Sequence, residues 1–207
     1  MYRSMLFVPG DSERKIAKSE GTQADAIILD LEDAVAPANK PAARALVSEY
    51  LAANRGRRHA KLFVRINPLT TPEAMPDLAA VMASAPDGIL QPKVAGPDDV
   101  IRLGQELDVL EREHGIAAGS TRIVPVTTEL PEAIFTLGGY GRCGPRLAAM
   151  TWGAEDLSAA IGAIGSRDAS GDWSHPFMLA RSLALFGAAA AGVAAIETLH
   201  ADFRDAA

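Results

Sequence analysis

The sequence is short of cysteine, of positive charge, of long apolar runs and of patterned histidine, and each shortage excludes something. One cysteine, Cys143, cannot form an internal disulfide or join a second thiolate on a metal, which points to a reducing compartment, the cytoplasm. Lys and Arg number 20 against 26 Asp and Glu, a formal charge of −6, so there is no surplus of cations to replace phosphate counterions on a nucleic acid. The longest apolar stretch, 188–196, is broken by Gly192 and falls far short of the ~20 residues a bilayer span needs. The opening MYRSMLFVPG has no long apolar core before Pro9 and Gly10, so neither a signal peptide nor a membrane partner is expected. His59, His114, His175 and His200 show no metal-ligand spacing, and no G-x-S-x-G elbow is present.

What is present is ordinary globular material. Hydrophobic residues are 48% and charged ones 22%, enough apolar content for a core and incompatible with disorder. Apolar runs at 4–8, 25–29, 61–66, 88–91, 122–126, 147–152 and 192–198 alternate with segments of helical period at 12–18, 38–53, 72–83, 97–113, 130–137, 157–164 and 177–190. Several runs are apolar on both faces, as strands buried in a parallel sheet are. Thr71-Pro72 and Gly96-Pro97 place proline where helices start. Seven strand–helix repeats without a dividing linker predict one parallel α/β domain over 1–207, either a barrel or an open sheet.

Polar residues gather just after the apolar runs: Asp30-Leu31-Glu32-Asp33, Arg65 with Asn67, Pro92-Lys93, Thr127-Thr128-Glu129 and Gly153-Ala154-Glu155-Asp156. In parallel α/β proteins the loops at the carboxyl ends of strands build the site, so these side chains are expected to converge. Glu129 and Asp156 are 27 residues apart, about one strand–helix unit. Two carboxylates on adjacent strands suit Mg2+, which would polarise a carbonyl and stabilise an enolate. Helix capping explains the same two acids equally well.

Other groups have double readings too. Arg65, in an otherwise apolar strand, needs an anion: a substrate oxygen, or an internal partner such as Asp30 or Glu32. Lys93 is either a Schiff-base lysine or, as strand-end lysines more often are, a salt-bridge partner. The three acids of 30–33 are acceptors around a metal or a solvated turn, and Lys40 and Arg44 form a basic helical face able to pair with them. Residues 139–144 fit G-x-G-x-x-G, but a helix precedes and a strand follows, the reverse of a dinucleotide site, so the glycines are expected to end a helix. Arg55, Arg57, Arg58 and His59 form a basic run read as a solvated helix exit.

Seven motifs in order, RSMLFVPG (3–10), DLEDAV (30–35), KPAAR (40–44), VRINP (64–68), QPKV (91–94), Thr128-Glu129 and WGAEDL (152–157), resemble the citrate lyase beta-subunit-like branch of the HpcH/HpaI aldolase family over essentially the whole chain. The resemblance implies a TIM-type (β/α)8 barrel in a homo-oligomer, trimer or hexamer. It also implies a Mg2+-dependent carbon–carbon lyase on a small keto acid and its acyl-CoA thioester, working through a metal-stabilised enolate. By position, it makes Glu129 and Asp156 the metal ligands and gives Arg65, with Glu129, the substrate's oxygens. Glu32 and Asp30 join Arg65 as catalytic groups in the shell around the metal, and Arg14 and Lys18 meet coenzyme phosphates. Glu197 stands where the family often has aspartate. The family normally continues beyond this length with an eighth strand and a C-terminal arm, so the barrel is expected to be incomplete at its C-terminus. The competing expectations are a metal aldolase on free 2-keto acids and a non-catalytic assembly subunit.

Overall fold

The computed structural model describes residues 2–56 and 59–200, so Arg57 and Arg58 of the basic run lie outside it. Seven strands occur among these residues: β1 (Met5–Pro9), β2 (Ala26–Asp30), β3 (Lys61–Arg65), β4 (Gly88–Gln91), β5 (Arg122–Pro125), β6 (Ala149–Thr151) and β7 (Ala194–Ile196). Six α-helices accompany them: α1 (Glu13–Ser19), α2 (Lys40–Ala53), α3 (Ala74–Met82), α4 (Pro97–Glu113), α5 (Glu155–Ala160) and α6 (His175–Ala191). Strands β1 to β5 pair in parallel in chain order, and β6 pairs in parallel with β7. The two groups are stitched together by parallel bridges between Ile123 and Leu147 and between Val126 and Thr151. A doubly wound sheet reverses its strand order at a switch point, whereas a barrel runs on sequentially. This order is that of a TIM-type barrel.

Alternation along the strands makes two cores. Ala26, Ile28, Phe63, Leu90, Val124 and Ala149 form the cluster inside the curve. Their neighbours Ile27, Leu29, Leu62, Val64, Ile89 and Ile123 belong to the larger cluster that includes Val47 and Leu51 of α2 and Val100, Leu103 and Leu107 of α4. Phe63 fits only because residue 88 lacks a side chain: a Cβ on Gly88 would stand 2.3 Å from the Phe63 ring. The inward parity of Ile28 and Phe63 continues to Asp30 and Arg65, which are register partners at the ends of β2 and β3. That parity delivers two charged side chains to the mouth of an apolar interior.

Several boundaries differ from expectation. The run 61–66 stops at Arg65, because the Asn67 amide donates to the Asp77 carboxylate at 2.7 Å rather than to a strand. Pro72 precedes α3 instead of opening it, while Pro97 does open α4. The helix expected at 130–137 is a 3-10 stretch, Pro131–Arg146, kinked at Gly144. Glycines at 138, 139, 141 and 144 and Pro145 are poor α-helix formers and allow only the tighter winding. The G-x-G-x-x-G match falls in this stretch ahead of β6, outside any strand–turn–helix unit. No helix among the described residues is long and apolar enough to cross a membrane.

Candidate active site

The mouth of the barrel holds a continuous ionic cluster. Arg65 grips Asp30 with two hydrogen bonds, Nε to Oδ1 at 2.8 Å and Nη2 to Oδ2 at 2.7 Å. Its Nη1 lies 3.0 Å from Glu32 Oε2, and the Phe7 ring covers the guanidinium at 5.0 Å. Asp30 also accepts the main-chain amides of Glu32 and Ala34, so the loop after β2 is wound around its carboxylate. The side chains of Asp30 and Glu32 are 2% and 3% exposed, so Arg65 neutralises charge that water cannot reach. The carboxylates around Arg65 raise its pKa still further above the usual range. The internal-partner reading of Arg65 thus describes what the guanidinium touches, and it leaves 13% of that side chain open at the mouth.

Lys93 joins the second half of the cluster to the first. Its ammonium lies 2.7 Å from Glu32, 3.3 Å from Asp33 and 3.5 Å from Asp156, while its main-chain N–H donates to Glu129 Oε2. Its pKa is raised, chiefly by the bond to Glu32, so the lysine is a salt-bridge partner with no tendency toward the neutral amine a Schiff base needs. Burial raises the Glu129 carboxyl to about 8, and the negative charges of Glu32 and Asp156 add to that rise. Burial also raises Glu32, though Arg65 and Lys93 pull against it.

No side-chain cap bond is made at α5 or at the 3-10 stretch, although Asp156 stands in the first turn of α5, where a helix N-terminus favours an acid. Glu129 is instead packed against Gly153: a Cβ there would come within 2.8 Å of Glu129 Cγ. The neighbourhood of β5 and β6 is held by Thr127 and Thr128, whose hydroxyls donate to the carbonyls of Thr151 and Gly153.

Among the described residues no three His, Cys, Asp or Glu side chains close into a metal cage. Mg2+ does not ask for one, because it keeps several waters and takes one or two carboxylates. A buried carboxyl pushed to about 8 beside a second carboxylate is a donor pair that a divalent cation would return to its ionised form, so the residues fit that group.

The structure therefore brings Asp30, Glu32, Arg65, Glu129 and Asp156 together and leaves Arg14 and Lys18 apart, exposed on α1. Lys40 and Arg44 do not pair with the acids of 30–33. Lys40 donates to the carbonyls of Leu31 and Glu32 and to Asn67 Oδ1, because its stem runs beneath the loop rather than outward. Arg44 reaches Glu73 and the fully buried Asp77 across the helix layer. Asp77 also accepts from both nitrogens of Asn67, and Asn67 donates to the Leu31 carbonyl. This clamp on the Glu32 main chain was not visible in the sequence, whose only trace of it is an acid on the buried face of α3. Glu197 receives the Trp152 indole N–H and pairs with Arg181 at 2.6 Å, holding the end of β7 to the turn that leads from β6 into α5. Two clefts, of about 550 and 380 Å³, lie at the start of α4 and near Asp25 and Asp87; neither is lined by a cluster residue. Strand-end chemistry, rather than cavity size, locates the site.

A TIM-type barrel whose strand ends present buried carboxylates, an arginine and a lysine belongs among the α/β-barrel proteins of acid-rich mouth. More particularly, the chain is a member of the HpcH/HpaI aldolase/citrate lyase family, whose model matches residues 3–207. It is similar to the citrate lyase subunit beta of Haemophilus influenzae, 31% identical over 202 residues covering 98% of this chain and 67% of that one. A citrate lyase subunit beta-like protein of Mycobacterium tuberculosis is 34% identical over 203 residues, 97% of this chain and 65% of that one. CitE of Mycobacterium tuberculosis, solved in complex with magnesium, acetoacetate and coenzyme A, superposes with a TM-score of 0.78 at 31% identity, over 98% of this chain and 67% of that one. The chain spans about two thirds of the length of these relatives.

Proposed function

We propose that this barrel serves a Mg2+-dependent carbon–carbon lyase, or the reverse condensation, on an acyl thioester of a small hydroxy-dicarboxylic acid of the citryl-CoA or malyl-CoA type. The observation that carries it is the buried Glu129 carboxyl, raised to about 8 beside Asp156 and tied through Lys93 to Glu32 and Arg65. The relatives support it in kind: citrate lyase beta subunits, and a CitE that binds magnesium, acetoacetate and coenzyme A.

Glu129 and Asp156 would hold the ion, and the chemistry it supplies there is polarisation of a substrate oxygen and offset of the charge that develops on it. Arg65, fixed by Asp30, turns its remaining exposed edge to a keto or carboxylate oxygen and orients the keto-acid half. Cleavage moves a proton off the hydroxyl, turns that carbon into a carbonyl and passes the C–C electron pair to the carbon next to the thioester. There the pair delocalises onto the thioester oxygen as an enolate that is then protonated at that carbon. Glu32, whose pKa burial raises, is the group placed to take and return that proton. Arg14 and Lys18, exposed four residues apart on α1, are the assigned contacts for coenzyme phosphates. A homo-oligomer, trimer or hexamer, accords with the exposed Phe135, Met178, Leu179, Leu185 and Phe186, and sedimentation equilibrium tests it. The unpaired Cys143 accords with a cytoplasmic location.

The deciding experiment is a thermal-shift titration. Mg2+ with oxaloacetate raises the melting temperature of the wild type, and Glu129→Ala and Asp156→Ala abolish the rise. An unresponsive wild type would overturn the proposal in favour of an assembly subunit. Loss of thioester absorbance with coenzyme A esters then separates the lyase from an aldolase of free 2-keto acids.

A further inference from the structure

Lys93 has φ +50°, one of two residues other than glycine with positive φ among those described. Left-handed backbone is unfavourable for such a residue and persists where its surroundings over-determine it. Here the twist sends the two ends of the residue to different acids. The main-chain N–H meets Glu129, and the ammonium meets Glu32, Asp33 and Asp156.

The charge balance around it is uneven. Five acidic side chains, Asp30, Glu32, Asp33, Glu129 and Asp156, gather around two cations, Arg65 and Lys93. Arg65 is committed to Asp30 by a two-bond fork. Lys93 is the movable charge: it sits on a flexible stem, its side chain is 27% exposed, and its contact with Asp156 is its longest.

We propose that Lys93 is the resident counter-cation of this site, holding Asp156 beside Glu32 until a divalent cation takes Asp156 over, so that lysine and metal compete for one carboxylate. The proposal rests on the assignment of Glu129 and Asp156 to the metal. Release of Asp156 leaves the ammonium on Glu32 and Asp33, where it remains within the cluster as a positioning charge for Glu32. A lysine of purely structural value would leave metal affinity unmoved when its charge is removed.

Isothermal titration of Mg2+ into substrate-free protein reads this directly. Lys93→Met is expected to bind Mg2+ roughly threefold tighter or more, since one neighbouring positive charge is gone. Lys93→Arg, which keeps the charge, is expected to stay within about twofold of wild type. If Lys93→Met does not fold, judged by near-ultraviolet circular dichroism, Lys93→Gln carries the same measurement. Unchanged or weaker binding in the neutral variant overturns the competition while leaving the metal assignment standing. Wild-type binding that is absent, or that survives in both Glu129→Ala and Asp156→Ala, overturns the assignment and the competition with it.

Discussion

Arg65 and Glu129 carry opposite problems of burial, and each makes a distinct prediction. Arg65 is the cation that makes Asp30 and Glu32 tolerable inside the protein. Arg65→Ala strands Asp30 and leaves Glu32 with Lys93 alone, and the loss of stability expected in urea unfolding is about 3–5 kcal/mol, the usual cost of breaking a buried pair from one side. Arg65→Lys keeps a charge but not the two-bond fork, and is expected to recover part of the stability while losing most of the turnover. Glu129 has its pKa raised from 4.5 to about 8. The folded protein therefore holds a proton there that the unfolded chain has released. The stability this proton gives is full below about 4.5 and is lost as the pH climbs through about 8. Melting temperatures of metal-free wild type between those limits should fall more steeply with pH than those of Glu129→Gln. On the proposed assignment of Glu129 to the metal, Mg2+ displaces the same proton, so its affinity should rise about tenfold per pH unit below 8 and level off above.

At the level of elements, the turn from β6 into α5 and the clamp over the β2 loop set where the acids stand. Gly153 lets the Glu129 side chain lie against the turn, since an added Cβ would stand 2.8 Å from its Cγ and 3.1 Å from Val126. Gly153→Ala is expected to cost about 1–3 kcal/mol through overpacking and to weaken the Mg2+ thermal shift well beyond that, because the carboxyl itself is pushed aside. Elements were also where sequence pattern was most and least informative. The long stripe of α4 (Val100, Leu103, Leu107) announces its helix, its proline start and its inner face. The glycine-rich 131–146 stretch has a stripe too (Ala133, Leu137, Tyr140), which packs against α6 and α4, but its glycines and Pro145 wind it as 3-10 rather than α. Asp77 reads in the sequence as an ordinary first-turn acid of α3. Only the approach of α2 to α3 makes it the shared acceptor of Arg44 and Asn67.

Over the whole molecule, the sequential curl of the strands creates the interior on which the site rests. Phe63, fully buried with Ile28, Leu90 and Val124, fills the space beneath the ionic cluster. Phe63→Ala is expected to cost about 3–5 kcal/mol in urea unfolding, since the ring occupies a space bounded by strands that cannot collapse. The alternation of apolar runs and helical periods, the absence of a linker and the placing of polar residues after each run already dictated a parallel α/β domain with its chemistry at the strand ends, because period and strand polarity are local properties of a chain. Three-dimensional packing alone decided that the sheet winds sequentially, that Asp30 rather than a solvent ion meets Arg65, and that Lys93 reaches four acids from three separate segments of the chain. Those outcomes depend on distances between residues 30 to 60 or more positions apart in sequence, and such distances exist only once the strands have found their register.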